Sequence, residues 1–430
     1  MVIFVRPRFF SGGISGRCCI EAPFHFLSDR ARPFTTGLHH AMREKASGPE
    51  PTSCDELFAN ELKAIVAKFE APMAYAFAYG SGVFPQSAKS SCPGPIIHVD
   101  PPNAIKQMQG GNETMIDFIF GVSSSEQWHE LNLQQYRDHY GGLGNLGKFA
   151  VAQCQDAFGA GVYFHPFVTV NGTLIKYGVT NMDTICRDLL TWDTLYIAGR
   201  LQKPTRTIWN NSRVQEANQA NLLSAINVAL LLLPETFTEQ ELYTTIAGIS
   251  YLGDPRMSVG GDNPQKVQNM IEHQLDDFRK LYNPLLKAMS NISTISYQSA
   301  IINLARSSKL QQNLDPTVRG RLVRNLPSAF RAKVYSQSER RLGTSLGINH
   351  PIPHEADNEG NKESGQGLPG SFDVQLAQDN DLRQEIKRAI QKTVRWPSFT
   401  QSIKSAITAG FNRSWRYAIE KRQKAASGRR

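Results

Sequence analysis

No stretch of this 430-residue chain is both apolar and long enough to form a membrane-spanning helix. The longest apolar run, residues 229–233 with their neighbours, falls far short of the roughly 20 residues such a helix needs. Cysteine is scarce. Cys18, Cys19, Cys54, Cys92, Cys154 and Cys186 form no CxxC pair and no His spacing suited to zinc, which argues against a zinc module and fits a reducing compartment. Acidic residues are in deficit, 38 against 47 Lys and Arg, and the net charge of +9 favours an anionic partner: nucleic acid, an anionic membrane or a phosphorylated substrate. The interleaved aromatics of an RNA-binding surface are missing. What is present, 40% hydrophobic residues over this length, supports ordinary cores in two or three domains.

The most informative stretch is residues 73–122: an apolar strand MAYAFAY, then YGSGVFPQ, a polar insert, and a second strand MIDFIFGV. Gly80, Ser81 and Gly82 can bend the chain so that backbone N–H groups point at an anion, with the Ser81 hydroxyl as a further donor. This turn lacks the GxGxxG of a dinucleotide site and the GK[ST] ending of a P-loop, and by itself is compatible with a plain turn. Asp117 changes the balance. It lies among Ile116, Phe118, Ile119 and Phe120 in a strand that reads as buried on both faces, where a carboxylate is costly unless it caps a turn, pairs or binds a metal.

Further along, SSSEQWHELNLQQY starts with helix-capping serines and carries His129, read as a packing histidine. GAGVYFHPFVTV reads as a strand, and Asn171-Gly172 as a two-residue hairpin turn returning through TLIKYGV, which sets Lys176 opposite Phe167. Lys176 in that apolar strand either snorkels to an edge or faces a bound anion. Arg200 and Lys203, flanked by Gly199 and Pro204 in TLYIAGRLQKP, are either a solvated pair or cations projecting into a cleft. The linking segment 87–111 reads as a surface loop.

YGSGVFPQ, MIDFIFGV with WHELN, GAGVYFHPF, LIKYGV, TLYIAGRLQKP, SYLGDPRM and IKSAITAG together resemble the mitochondrial phosphatidate cytidylyltransferases, also called mitochondrial translocator assembly and maintenance proteins. The resemblance spans most of the chain from about residue 55. It implies an α+β fold: a nucleotidyltransferase (DNA polymerase beta-like) mixed-sheet domain at 55–210, then a helical winged-helix-type domain at 211–335. It implies synthesis of CDP-diacylglycerol from CTP and phosphatidic acid, with magnesium, for cardiolipin, peripherally on the matrix side of the inner mitochondrial membrane. The residues it points to are Gly80, Ser81, Gly82 and Tyr177 for the nucleotide, and Asp117, Lys176, Arg200 and Lys203 for catalysis. Asp117 would hold the metal, with Asp254 and Arg256 contributed by the second domain. One departure stands out: nucleotidyltransferases of this type carry a second carboxylate two residues after the first, where this chain has Ile119. Asp188 or Asp193 would have to supply it, or the triphosphate hold the metal. A nucleotidyltransferase acting on RNA ends and a non-catalytic assembly factor are the rival readings, although no nucleic-acid partner is expected. The oligomeric state is left open.

The ends carry further expectations. Residues 1–40 hold Arg6, Arg8, Arg17, Arg30 and Arg32 against Glu21 and Asp29, which reads as a mitochondrial transit peptide. Residues 211–335 read as helices without alternating strands, and 336–380 as a disordered linker. In 381–430, Ile403, Ile407, Phe411, Trp415 and Ile419 fall at helical spacing among Lys404, Arg413, Arg416, Lys421 and Arg422, a basic amphipathic helix that could lie on an anionic membrane.

Overall fold

The computed structural model describes residues 53–85, 97–110, 113–258, 265–289, 291–294, 309–342 and 369–408. Residues 1–40, read from the sequence as a transit peptide, lie outside them. Helix α1 (Ser53–Val66) forms because Phe58, Leu62, Ile65 and Val66 recur at helical spacing and all become buried. Strands β1 (Tyr75–Tyr79), β2 (Ile116–Val122), β3 (Val162–Val170), β4 (Thr173–Asn181) and β5 (Arg206–Trp209) build a mixed sheet in the order β3-β4-β2-β1-β5. β2 and β4 run parallel, and the other neighbours are antiparallel. The β2-to-β3 crossover carries helices α3 (Ser125–Gln135) and α4 (Gly147–Ala157). Segment 87–111, expected as loop, contains α2 (Asn103–Gln109) and the buried His98, whose Nδ1 accepts from Leu174 N at 2.9 Å. Residues 87–96 and 111 of it fall outside the described ones.

Alternation along the strands divides the sheet into two unlike faces. One face gathers Ala76, Ala78, Phe118, Phe120, Tyr177 and Val179 against α1 and Trp128 of α3. The other is covered at one end by α5 (Met182–Thr191), so closely that a Cβ at Gly121 would lie 2.8 Å from Met182 Sδ. The opposite end of that face carries Tyr79, Asp117 and Lys176, which are direct cross-strand neighbours. The expected hairpin is present: Val170 pairs Thr173, with Asn171 and Gly172 at φ 46° and 70°. A bulge between His165 and Val168 puts both Pro166 and Phe167 opposite Lys176, and Phe167 takes φ 56° to accommodate it.

Beyond the sheet come α6 (Ala198–Leu201), α7 (Ser212–Leu232), α8 (Glu239–Ile249), α9 (Pro255–Ser258), α10 (Lys266–Ala288) and α11 (Pro316–Arg324). Thr238 and Glu241 form a capping box at the start of α8. The expectation of helices alone is corrected by β6 (Thr236–Thr238), β7 (Ile292–Thr294) and β8 (Lys309–Gln312), an antiparallel sheet in the order β6-β8-β7. Strands of three or four residues are too short to show a period-two pattern.

The expected linker is also narrower than read. Helix α12 (Ser328–Leu342) enters it from one side and α13 (Ser371–Gln378) from the other, while 343–368 lie outside the described residues. The last helix, α14 (Leu382–Thr408), is not a free amphipathic helix over its described length. Ile386, Ala389, Ile390 and Val394 are buried, Gln401 donates to Val162 O at 2.9 Å, and Lys404, counted among the surface cations, is only 4% exposed. Its Nζ donates to the carbonyls of Cys154, Gln155 and Phe158, closing the end of α4. Ile403 is 46% exposed as expected. The Ile407 side chain and Phe411, Arg413, Trp415 and Arg416 lie outside the described residues.

Candidate active site

The Gly-Ser turn follows β1 directly. Gly80 has φ +84°, and its carbonyl accepts from Val83 N and Phe84 N at 3.1 and 2.9 Å. A Cβ at Gly82 would lie 2.7 Å from Met115 O, so the turn approaches the start of β2 as only glycine allows. Gln109 donates to Gly82 O at 3.1 Å and Gln274 of α10 to Phe84 O at 3.2 Å, pinning the turn from two sides. Ser81 is exposed at its tip.

Asp117 is half-buried beside this turn, its Oδ2 3.4 Å from where a Gly80 Cβ would stand. Oδ1 lies 3.3 Å from Lys176 Nζ and, although buried, accepts no hydrogen bond among the described residues. Lys176 Nζ also sits 4.5 Å from the centre of the Phe164 ring.

The strap 192–203 brings two more cations to the same end of the sheet. Asp188 is 3% exposed and shapes that strap: Oδ1 accepts from Thr194 N, Thr194 Oγ1 and Leu195 N, Oδ2 from Ile197 N and Ala198 N, all at 2.9–3.0 Å. Five donors saturate the carboxylate, so Asp188 is a structural post and the expectation that it ligates a metal is corrected. Asp193 pairs with Arg187 at 2.9 Å. Among the described residues no three His, Cys, Asp or Glu side chains converge as a metal centre.

Arg200 packs on the Tyr196 ring at 3.9 Å and on the Tyr79 ring at 5.4 Å, and its Nη1 donates to Tyr196 O. Burial holds the Tyr79 phenol above its ordinary pKa, with Arg200 opposing and Asp117 adding to that shift, which places all three groups in one field. Lys203 Nζ donates to Gly199 O and to Ser250 Oγ, the latter at 2.7 Å. Burial, then the nearby Arg200 and Lys266, push its pKa well below the ordinary lysine value. Gly199 lets the strap touch the end of α8, since a Cβ there would stand 2.4 Å from Ser250 Cβ.

The second region contributes more. Asp254, 2% exposed, accepts from Arg256 Nε at 3.0 Å and aims a guanidinium whose charge is felt at Arg200. Lys266, at the start of α10, lies 5.4 Å from the Tyr251 ring, while Lys203 lies 5.1 Å from the same ring.

The structure thus brings Gly80, Asp117, Lys176, Arg200, Lys203 and Arg256 into one neighbourhood. Tyr177 is excluded from it. As the neighbour of Lys176 on β4 it points through the other face, where its hydroxyl accepts from Asn132 at 3.1 Å and its ring stacks on Phe120 and His165. His129 is likewise in that core, bonded to Tyr140 and Gln155, as a packing histidine should be. Tyr79, Tyr196 and Lys266 were missed in the sequence. The first two sit inside the quoted motifs YGSG and LYIAGR, and an aromatic beside a glycine-bounded basic residue was the available signal.

A carboxylate whose buried oxygen is paired with a lysine but accepts no hydrogen bond among the described residues, with further cations near a glycine turn, is suited to a metal-bound polyphosphate. Comparison with known proteins narrows this. A family model described as "Phosphatidate cytidylyltransferase, mitochondrial" matches residues 62–424. The chain belongs to the mitochondrial phosphatidate cytidylyltransferase family. Relatives bearing that family name include a Schizosaccharomyces pombe protein, 35% identical over 86% of this chain and 84% of its own length. Another, from Xenopus laevis, is 34% identical over 84% of this chain and 93% of its own. A third, from Saccharomyces cerevisiae, is 38% identical over 66% of this chain and 71% of its own. The family match runs through the whole neighbourhood, from the Gly-Ser turn to Lys266 and on into α14.

Proposed function

We propose that this chain transfers the cytidylyl group of CTP to phosphatidic acid, giving CDP-diacylglycerol and pyrophosphate for cardiolipin synthesis. The observation that carries this is the convergence of Asp117 with Lys176, Arg200 and Lys203 beside the Gly80–Gly82 turn, in a member of this family. The mixed sheet is the nucleotidyltransferase (DNA polymerase beta-like) unit. The helices with the β6-β8-β7 sheet form the winged-helix-type unit.

The nucleophile is a phosphate-monoester oxygen of phosphatidic acid, already ionised because its second pKa is about 6, so no general base is needed. That oxygen forms the new bond to the α-phosphorus of CTP as the bond to the β-phosphate breaks. The difficulty is bringing two anions together, and it is met by positioning and charge. Gly80 and Ser81 offer donors to the triphosphate. Lys176, Arg200 and Lys203 neutralise phosphates of both substrates, with Arg256 and Lys266 behind them. Asp117, whose Oδ1 accepts no hydrogen bond among the described residues, would be the carboxylate that holds a magnesium ion. When bound, the ion supplies charge neutralisation on the triphosphate. The position two residues on is the buried Ile119, which fits a site with one protein carboxylate. Lys203, forced below its ordinary pKa by burial and by Arg200, regains its proton affinity when a phosphate arrives.

One substrate is anchored in a bilayer, so the protein must dwell at a surface. Along α14 the exposed side chains run from Arg388, Lys392 and Arg395 to Trp396, Phe399 and Ile403, basic and then apolar. No described helix is long and apolar enough to cross a membrane. This stripe fits peripheral binding to an anionic membrane, on the matrix side of the inner mitochondrial membrane, after import directed by residues 1–40. The test is to incubate the purified protein with labelled CTP and magnesium, offering phosphatidic acid vesicles or an RNA oligomer in parallel. Label should enter the lipid. Label on the RNA would support transfer to RNA ends, and a folded protein that labels neither would be an assembly factor.

A further inference from the structure

Arg200 is held in an unusual way for a half-buried cation. Among the described residues no carboxylate pairs with it. Instead the guanidinium lies 3.9 Å from the Tyr196 ring centre and 5.4 Å from that of Tyr79, and its Nε–H, inaccessible to solvent, has no hydrogen-bond partner. A carboxylate would fix the guanidinium but cancel its charge. A ring face fixes it while leaving the charge, and here a donor, for an incoming anion. A buried donor left unsatisfied is costly, and a phosphate oxygen would satisfy it.

The placement of Tyr196 is itself expensive. Leu195, the residue before it, has φ +56° and Trp192 φ +57°, a left-handed backbone that non-glycine residues avoid. The five bonds to Asp188 hold that backbone in place, and Asn221 adds a bond from its Nδ2 to Ala198 O at 3.1 Å. The outcome is a ring 8% exposed, one helical turn before Arg200 and beneath it.

We infer that Tyr196 and Tyr79 are positioning residues that clamp Arg200, Tyr196 by its ring face and Tyr79 by ring and hydroxyl together, so that it meets substrate phosphate with its charge uncancelled. The inference rests on the proposed role of Arg200 in cytidylyl transfer. Neither tyrosine touches the reacting atoms. What the clamp supplies is the orientation of Arg200.

The test compares side chains of similar bulk with and without a ring. Tyr196→Leu should lower kcat/KM for CDP-diacylglycerol formation about 10-fold, and Tyr196→Phe, which keeps the ring, should restore it to within about 2-fold of wild type. In an Arg200→Ala background, adding Tyr196→Leu should cost less than about 2-fold more, because nothing is left to position. Full activity of Tyr196→Leu, equal damage by Phe and Leu, or an additive loss in the double variant would each overturn the clamp. If thermal melting shows that Tyr196→Leu does not fold, Tyr196→Met, which keeps bulk without a ring, takes its place in the same comparison with Phe. Arg200→Ala separates the two readings: wild-type turnover there removes Arg200 from the proposed mechanism and the clamp with it. A loss with Arg200→Ala alongside wild-type turnover of Tyr196→Leu removes only the clamp.

Discussion

Side chains one residue apart in this sheet have unrelated chemistry, because the pleat sends them to opposite faces. Lys176 reaches Asp117 while Tyr177 closes a core of rings and histidines, so a motif read as a string could not say which of the two faces the candidate site. Asp188 teaches the same lesson for carboxylates: read as a possible metal ligand, it is engaged by five donors that only the folded strap reveals. His129 shows what such burial does to titration. Desolvation lowers its pKa from 6.5 to about 4, against a smaller opposing effect of its Gln155 bond. Between those values the unfolded chain takes up a proton that the folded chain refuses, so the contribution is whole above about pH 6.5 and lost as the pH falls towards 4. That amounts to up to about 3 kcal/mol of stability. Urea midpoints at pH 7 and pH 4.5 should therefore converge in His129→Gln relative to wild type, and an unchanged pH dependence would show that this ring is not the group responsible.

Elements long enough to repeat their pattern were legible in the sequence, and short ones were not. Helix α1, the capped α8 and the Asn171-Gly172 hairpin each announce themselves by spacing or by turn chemistry. Strands β6, β7 and β8 have three or four residues and no period to show, and the ends of the supposed linker became α12 and α13 because Phe330, Val334 and Leu376 find a core that composition alone does not reveal. Lys404 was legible as a cation but not as the cap of a distant helix. The strap with Arg200 and Lys203 depends on an element contact of the same hidden kind, the approach of Gly199 to Ser250. Gly199→Ala should push α6 from the end of α8, costing about 1–3 kcal/mol of stability and lowering turnover about 10-fold or more by displacing both cations. Denaturation together with the lipid assay checks this, and wild-type values in both would mean that the strap can shift without consequence.

For the molecule as a whole, the proposed reaction poses a geometric problem: a soluble nucleotide and a bilayer-held acceptor would have to meet at one site. The exposed Trp396 and Phe399 of α14 belong to a helix whose other side is packed, so replacing both with Ala should weaken flotation with anionic liposomes about 10-fold while leaving the fold intact. Activity on a short-chain, dispersed phosphatidic acid should stay within about 2-fold, since no phosphate contact is altered. Equal loss on dispersed and membrane-embedded substrate, with liposome binding unchanged, would place this stripe in the folded catalytic unit rather than at a membrane. A truncation after residue 408 is the better companion than one at 400, which would also strip the bonds of Gln401 and Lys404. The proposed chemistry turns on Asp117. Wild type and Asp117→Asn, assayed side by side with labelled CTP, magnesium and phosphatidic acid, should differ by at least about 100-fold in label reaching the lipid, with the same thermal melting. Wild-type formation of CDP-diacylglycerol by the Asn variant would contradict the account.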